Sequence, residues 1–336
     1  MVEAVRRSCA GLVRSHDGPA RRPVPATSQA PGAAGKTKPI NPQEALPRYE
    51  PWVRVQTALS RLQAGMLVDG LTLQRRGAGG LKKNTLLTLV LPMTPNGRTK
   101  LLEGQASRVR QAGRRREDQY AEIMVQADEL WPFFSAVVDL DAARAPHVFE
   151  YLQLGLSLVT AVVMPLKYAA GVARPSEVSA LVLPMLDVPG HAALPSGHAS
   201  AARMLCELLV ALLPSETGAH PLLRRLALRV GRNREVAGLH YPIDTAAGWL
   251  LGETLAGYLL NVSGAAGQKF LNARLDLTRA TSGNLEQLSD DEALLQRLPM
   301  TFLTSPQADT VDPQPDAVVA WMFERARAEL RALGRG

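Results

Sequence analysis

The chain has 336 residues, 46% of them apolar and 21% charged, the balance of a globular protein long enough to bury a sizeable core. Its formal charge of +7 favours anionic partners without choosing among them, and an aromatic share of 5% argues against a base-stacking nucleic-acid surface. Two cysteines, Cys9 and Cys206, exclude a disulfide framework and a four-thiolate zinc site and fit a reducing compartment.

Residues 1–50 are rich in Pro, Gly and Ala without a hydrophobic period and read as a flexible tail, with order starting near Pro51 and Trp52. Its first stretch, Met1 to Val13, carries Glu3, Arg6 and Arg7, too broken for a signal peptide. Residues 51–120 read as an accessory segment packed on the core. Within it Leu81 to Leu91 alternates loosely and suits a strand, and Thr94-Pro95-Asn96-Gly97 reads as a turn. From Leu101 the pattern is helical and carries a basic run, Arg108, Arg110, Arg114, Arg115 and Arg116, read as a solvated helix face.

Residues 121–262 read as consecutive helices, Ala145–Val172, Ala199–Leu213, Leu222–Val236 and Tyr241–Leu260 among them, with Pro and Gly in the connections. The fold class is therefore all-α, a helical bundle with minor β or irregular elements near residues 80–100. The longest uncharged run, Tyr151 to Leu166, contains Gln153, Gly155, Ser157 and Pro165 and falls short of the roughly 20 apolar residues of a membrane span, so it reads as a core helix. No transmembrane helix or signal peptide is recognised, and a soluble, cytoplasmic protein is expected. Residues 263–336 read as a helical extension, closed by an amphipathic helix from Asp316 to Leu333.

Three stretches inside the bundle carry chemistry. Lys167 and Arg174 are seven residues apart, two helical turns, and face one side before Pro175 ends the helix. Two cations on an apolar helix ask for an anion, unless they merely snorkel. Leu194-Pro195-Ser196-Gly197-His198 leads into a helix, and a helix start with free N–H groups, a hydroxyl and a close-approach glycine binds oxyanions; a plain N-cap is the alternative. In Asn233-Arg234 through His240-Tyr241-Pro242-Ile243-Asp244, a helix opening at Pro242 lets His240 and Asp244 meet. A carboxylate on one ring nitrogen fixes the tautomer and frees the other nitrogen. Together the stretches supply three cations, two donors and two imidazoles, a set suited to an oxyanion and hostile to a divalent cation.

Lys-x6-Arg-Pro, Pro-Ser-Gly-His and Arg-x5-His-x3-Asp, in that order, resemble the three-part signature shared by type-2 phosphatidic acid phosphatases, bacterial class A acid phosphatases and vanadium-dependent haloperoxidases. Asn233 departs from it, standing where the family usually has Ser. The resemblance implies that Lys167, Arg174, Ser196, Gly197 and Arg234 bind phosphate or vanadate. It makes His240 the nucleophile or the vanadium ligand, Asp244 its orienter, and His198 the general acid–base. His191, seven residues before His198, resembles an additional histidine of bromoperoxidases thought to tune halide oxidation. On that feature the reading leans to a soluble bacterial haloperoxidase-like branch, with vanadate as cofactor and bromide or iodide and hydrogen peroxide as substrates. The alternative is a metal-independent acid phosphatase acting on a phosphate monoester. Tyr168 favours it, since several haloperoxidases have Trp after the lysine. No nucleic-acid partner is expected, and a homodimer is compatible with the family. Asp139, Asp141 and Glu177 are candidate carboxylate partners for the site arginines.

Overall fold

A computed structural model describes residues 41–76, 83–92, 94–214, 218–265, 269–279, 307–310 and 314–334. The chain divides at Glu50 and Pro51. Most of the expected tail, residues 1–40, lies outside the described residues. The remainder of that unit forms two short helical turns, Pro42–Ala45 and Leu46–Arg48. Residues 51–336 make the second unit, in which the accessory segment, the bundle and the C-terminal extension share one core running from Val55 to Leu330.

This unit is mostly helical. Its elements are α1 (Pro51–Ala64), β1 (Met66–Asp69), β2 (Thr72–Arg76), β3 (Lys83–Val90), α2 (Pro95–Ala112), α3 (Arg116–Asp128), α4 (Trp131–Val138), α5 (Pro146–Ala170), the single turn α6 (Pro175–Val178), α7 (Gly197–Leu212), α8 (Ala219–Val236), α9 (Pro242–Val262), β4 (Lys269–Asp276), β5 (Gln307–Thr310) and α10 (Ala317–Ala332). Central to the bundle is α7, packed against α5, α8 and α9. Glycines on α9 set the closeness of one crossing. A Cβ at Gly248 would sit 2.4 Å from the Ser196 carbonyl oxygen, and one at Gly252 would sit 2.4 Å from that of Ser200. The backbone of the Ser196 loop therefore rests directly on α9.

The five strands form one sheet in the order β1-β2-β3-β4-β5. All neighbours are antiparallel except β3 and β4, which pair in parallel with Leu87 opposite Ala273 and Val90 opposite Asp276. The strand expected near residues 80–100 is present as β3. The C-terminal extension, read as helical and closed by an amphipathic helix, also contributes β4 and β5 before α10 closes it. Residues 280–306 lie outside the described residues.

Two local readings change. Thr94 is not in a turn: it is the N-cap of α2, its hydroxyl accepting from the Gly97 N–H at 3.1 Å, with Pro95 in the first helical position. The basic run does not lie on one helix; it spans the end of α2, a 3-10 turn at Gly113–Arg115 and the start of α3. The segment Pro146–Val178 is long and apolar enough to cross a membrane by length and composition, although the uncharged run within it falls short. Much of α5 is buried against α7, α10 and α1, and a buried Arg54–Glu150 ion pair, with bonds of 2.6 Å, ties it to α1.

Candidate active site

The site forms where four chain segments meet around the N-terminus of α7. Gly171 ends α5 in the left-handed conformation, φ +56°, which a glycine adopts without strain. This corrects the expectation that Lys167 and Arg174 share a helix face. Lys167 is in the last turn of α5, whereas Arg174 is extended and precedes α6. The two side chains nonetheless converge on the loop that follows. Lys167 Nζ donates to the carbonyls of Ala192 and Ala193 at 2.9 and 2.8 Å. Arg174 Nε donates to the His191 carbonyl at 3.1 Å, and Nη1 donates to the Leu239 carbonyl at 2.8 Å. These bonds pull the loop after α6 and the segment before α9 onto one centre.

Ser196 is the N-cap of α7. Its oxygen accepts from the Ala199 N–H at 3.3 Å, and its own N–H donates to the Asp244 carbonyl at 2.9 Å. That leaves the hydroxyl proton for a ligand. A Cβ at Gly197 would meet only Val163, at 3.9 Å, so the space over this helix start is open. Here the helix dipole and free N–H groups favour an anion.

His240 is buried. Its Nδ1 lies 3.1 Å from Asp244 Oδ2, and its Nε2 lies 3.1 Å from Arg174 Nη1. Asp244 sits in the first turn of α9, and the same Oδ2 accepts from the Tyr241 N–H at 2.9 Å. His198, in the first turn of α7, places Nε2 3.1 Å from the Gln126 carbonyl. Arg234 is fully buried at the end of α8. Its Nη2 donates to the Ile123 carbonyl at 3.0 Å, while Nε and Nη1 have no partner among the described residues. A buried guanidinium with two donor nitrogens unmet is open to an acceptor, and an oxyanion is one that would suit it.

The electrostatics agree. Burial, then Arg174, pushes the Lys167 amine down, with Asp244 opposing. Burial lowers Arg234 to about 10. Burial, then Arg234 and His240, lowers His198 to about 3, and burial followed by Lys167, Arg174 and Arg234 holds His240 well below the usual histidine range. Both rings are neutral at pH 7. Burial raises Asp244, against the Tyr241 N–H that lowers it. The cradle is a cluster of under-compensated positive charge, which favours an anion there.

Every residue named from the three motifs lies in this cluster. His191 also belongs to it. Its ring is exposed, and Nδ1 lies 3.0 Å from Arg174 Nη2 at the mouth. Of the three candidate carboxylates, Glu177 reaches Arg174, accepting from its backbone N–H and acting on its guanidinium through charge. Asp139 and Asp141 pair instead with Arg144 at the surface. Gln126 on α3 was not anticipated. It is buried, and its Oε1 accepts from Asn233 Nδ2 at 2.8 Å and from Arg234 Nη2 at 3.5 Å, while its backbone carbonyl meets His198. One glutamine thus braces two of the three motifs. In the sequence it is a lone amide in an ordinary amphipathic helix, without a motif to mark it. Among the described residues no three His, Cys, Asp or Glu side chains cluster as metal ligands.

Residues 150–267 match the family model described as PAP2 superfamily. The matched segment, about a third of the chain, is similar to that superfamily and contains all three motifs, with α7, α8, α9 and all but the first turn of α5. No curated protein matches the chain. Gln126 and α3 fall outside the matched segment, so part of the wall of this site comes from chain the family model does not describe.

Proposed function

We propose that the cradle binds a tetrahedral oxyanion beside His240 Nε2 and that the protein is a vanadate-dependent, haloperoxidase-like enzyme oxidising bromide or iodide with hydrogen peroxide. Vanadate fits the donor set: Lys167, Arg174, Ser196, Gly197 and Arg234 would hold it and His240 would ligate it, and it would supply the activation of peroxide for halide oxidation. The unmet Arg234 donors and the open space over Gly197 support that fit. The observation that carries the finer reading is His191, whose exposed ring stands 3.0 Å from Arg174. It puts a third, exposed imidazole beside a cation of the cradle. In this reading Asp244 holds the His240 proton on Nδ1. His198 exchanges a proton with the bound oxyanion, and the three cations neutralise its charge.

The second reading, a metal-independent phosphomonoesterase, is supported by Tyr168. At 93% exposed it builds no wall of the cradle where several haloperoxidases place Trp. There the bound phosphate dianion favours the imidazolium of His198; His240 Nε2 attacks phosphorus as the ester P–O bond breaks, and His198 gives its proton to the leaving oxygen. Water, deprotonated by His198, then displaces the phosphoryl group from His240.

A paired assay separates the two. One portion of purified, metal-stripped protein receives a chromogenic phosphate monoester with and without vanadate. The other is loaded with vanadate and given peroxide, bromide or iodide, and a halogen-accepting dye. The favoured reading expects vanadate-dependent halide turnover that is lost in His240→Ala and reduced in His191→Ala. Ester cleavage blocked by vanadate, without halide turnover and indifferent to His191→Ala, establishes the phosphatase.

A further inference from the structure

The arginine run is not used by the candidate site, yet it lines a cavity of about 490 Å³. The break from α2 through the 3-10 turn to α3 brings Arg110, Arg114 and Arg116 to this cavity, with Leu181 and Leu183 also lining it. Among the described residues no acidic side chain lines it; Glu117 and Asp118, next along α3, do not contribute. Among the described residues none of the three arginines has a carboxylate partner. Arg116 alone is anchored, Nε donating to the Val236 carbonyl at 3.1 Å. Three uncompensated guanidiniums around one concave space raise its potential and favour an anion there.

The leucines bear on the chemistry of that anion. Val182 is buried at 3% exposed, whereas its neighbours Leu181 and Leu183 are 65% and 67% exposed. Burying Val182 turns both leucines outward. The loop is pinned in this register by the Met185 N–H donating to the Ala237 carbonyl at 2.9 Å. A solvated basic face has no need of apolar side chains beside it, and an extended polyanion would follow a stripe rather than a pocket.

We propose that this cavity is a second anion site, separate from the catalytic cradle, that takes a phosphate-bearing ligand with an apolar portion. The guanidiniums hold the phosphate, and Leu181 and Leu183 meet the apolar part. A cavity of this size lies in the range that accommodates small organic ligands. The ligand is either a free alkyl phosphate or a phospholipid headgroup, two sources of one chemistry.

The test compares wild type with Arg110→Ser/Arg114→Ser, both exposed positions. Two probes are used: hexyl phosphate in solution, and phosphatidylcholine vesicles with and without phosphatidate. A control, Arg325→Ser/Arg331→Ser on α10, removes equal charge elsewhere. Thermal unfolding checks that each variant folds. Weakening of either probe by about tenfold or more in the cavity variant alone is the expected result. The probe affected names the source, and catalytic turnover in the cavity variant stays at the wild-type level. Unchanged binding of both probes, or equal weakening in the α10 control, overturns the proposal. Hexyl phosphate held in the cradle responds to Arg174→Ala instead, so failure here is distinguishable from failure of the catalytic reading.

Discussion

Arg174 Nη1 lies 3.1 Å from His240 Nε2, and this contact fixes the tautomer of the imidazole. A guanidinium only donates, so Nε2 accepts and the ring proton sits on Nδ1, facing Asp244 Oδ2 at 3.1 Å. The lone pair on the cradle side is thus defined at both ends of the ring. Asp244 acts as a positioning residue. Removing it in Asp244→Ala frees the ring to take the other tautomer or turn away. Turnover is expected to fall by about 10²–10⁴-fold while the chain stays folded. Nitrogen-15 NMR of the wild type should report the proton of His240 on Nδ1; a proton on Nε2 would contradict this account.

His198 has a different task, and its removal a different signature. Its ring is neutral, lowered to about 3 by burial and by the nearby Arg234 and His240, so it adds no charge to the free cradle. The His198→Ala variant should therefore bind phosphate or vanadate within a few-fold of wild type. Turnover should drop by about 10²–10⁴-fold, the usual worth of a positioned acid–base group. Equal losses in affinity and turnover would make His198 a binding residue instead.

Gln126 supplies a test of the wall the motifs did not reveal. Its side-chain oxygen accepts from Asn233 and Arg234. A leucine there leaves a buried amide donor and weakens the hold on a buried guanidinium. Gln126→Leu is expected to cost about 1–3 kcal/mol of stability, read by denaturant unfolding. It should also weaken oxyanion binding, because Arg234 loses a bond that aims it. Wild-type affinity in a destabilised Gln126→Leu protein would limit this glutamine to a structural role.

How far the sequence carried this site follows from what is local. Ser196 to His198 and His240 to Asp244 are contiguous, with one helical turn deciding their geometry, so spacing alone placed them correctly. Lys167 and Arg174 were paired for a wrong reason: Gly171 ends the helix between them, and it is the loop around Ala192 and Ala193 that brings them together. Gln126 and the parallel pairing of β3 with β4 were invisible because both depend on contacts across more than a hundred residues. The turn assigned to Thr94 failed because Thr-Pro serves equally as a helix N-cap, and only the following eighteen-residue helix separates the two.

The charge state of Lys167 gives a measurement that needs no catalysis. Burial and Arg174 lower its amine in the free protein, favouring the neutral form, and the donated bonds to Ala192 and Ala193 do not remove that pressure. A phosphate dianion in the cradle acts the other way. It favours the charged amine and offsets the repulsion from Arg174, so the folded-state value rises on binding. His198, also lowered, is moved in the same direction. Binding at pH 8 must then take up protons from the solvent. Calorimetric titration of phosphate in two buffers of different ionisation enthalpy should show an uptake that approaches one proton. The uptake should shrink as pH falls, once the amine is already protonated in the free protein. In Lys167→Met the uptake at pH 8 should largely disappear along with part of the affinity. Proton release on binding, or an uptake unchanged by Lys167→Met, would show that Lys167 is charged before the anion arrives.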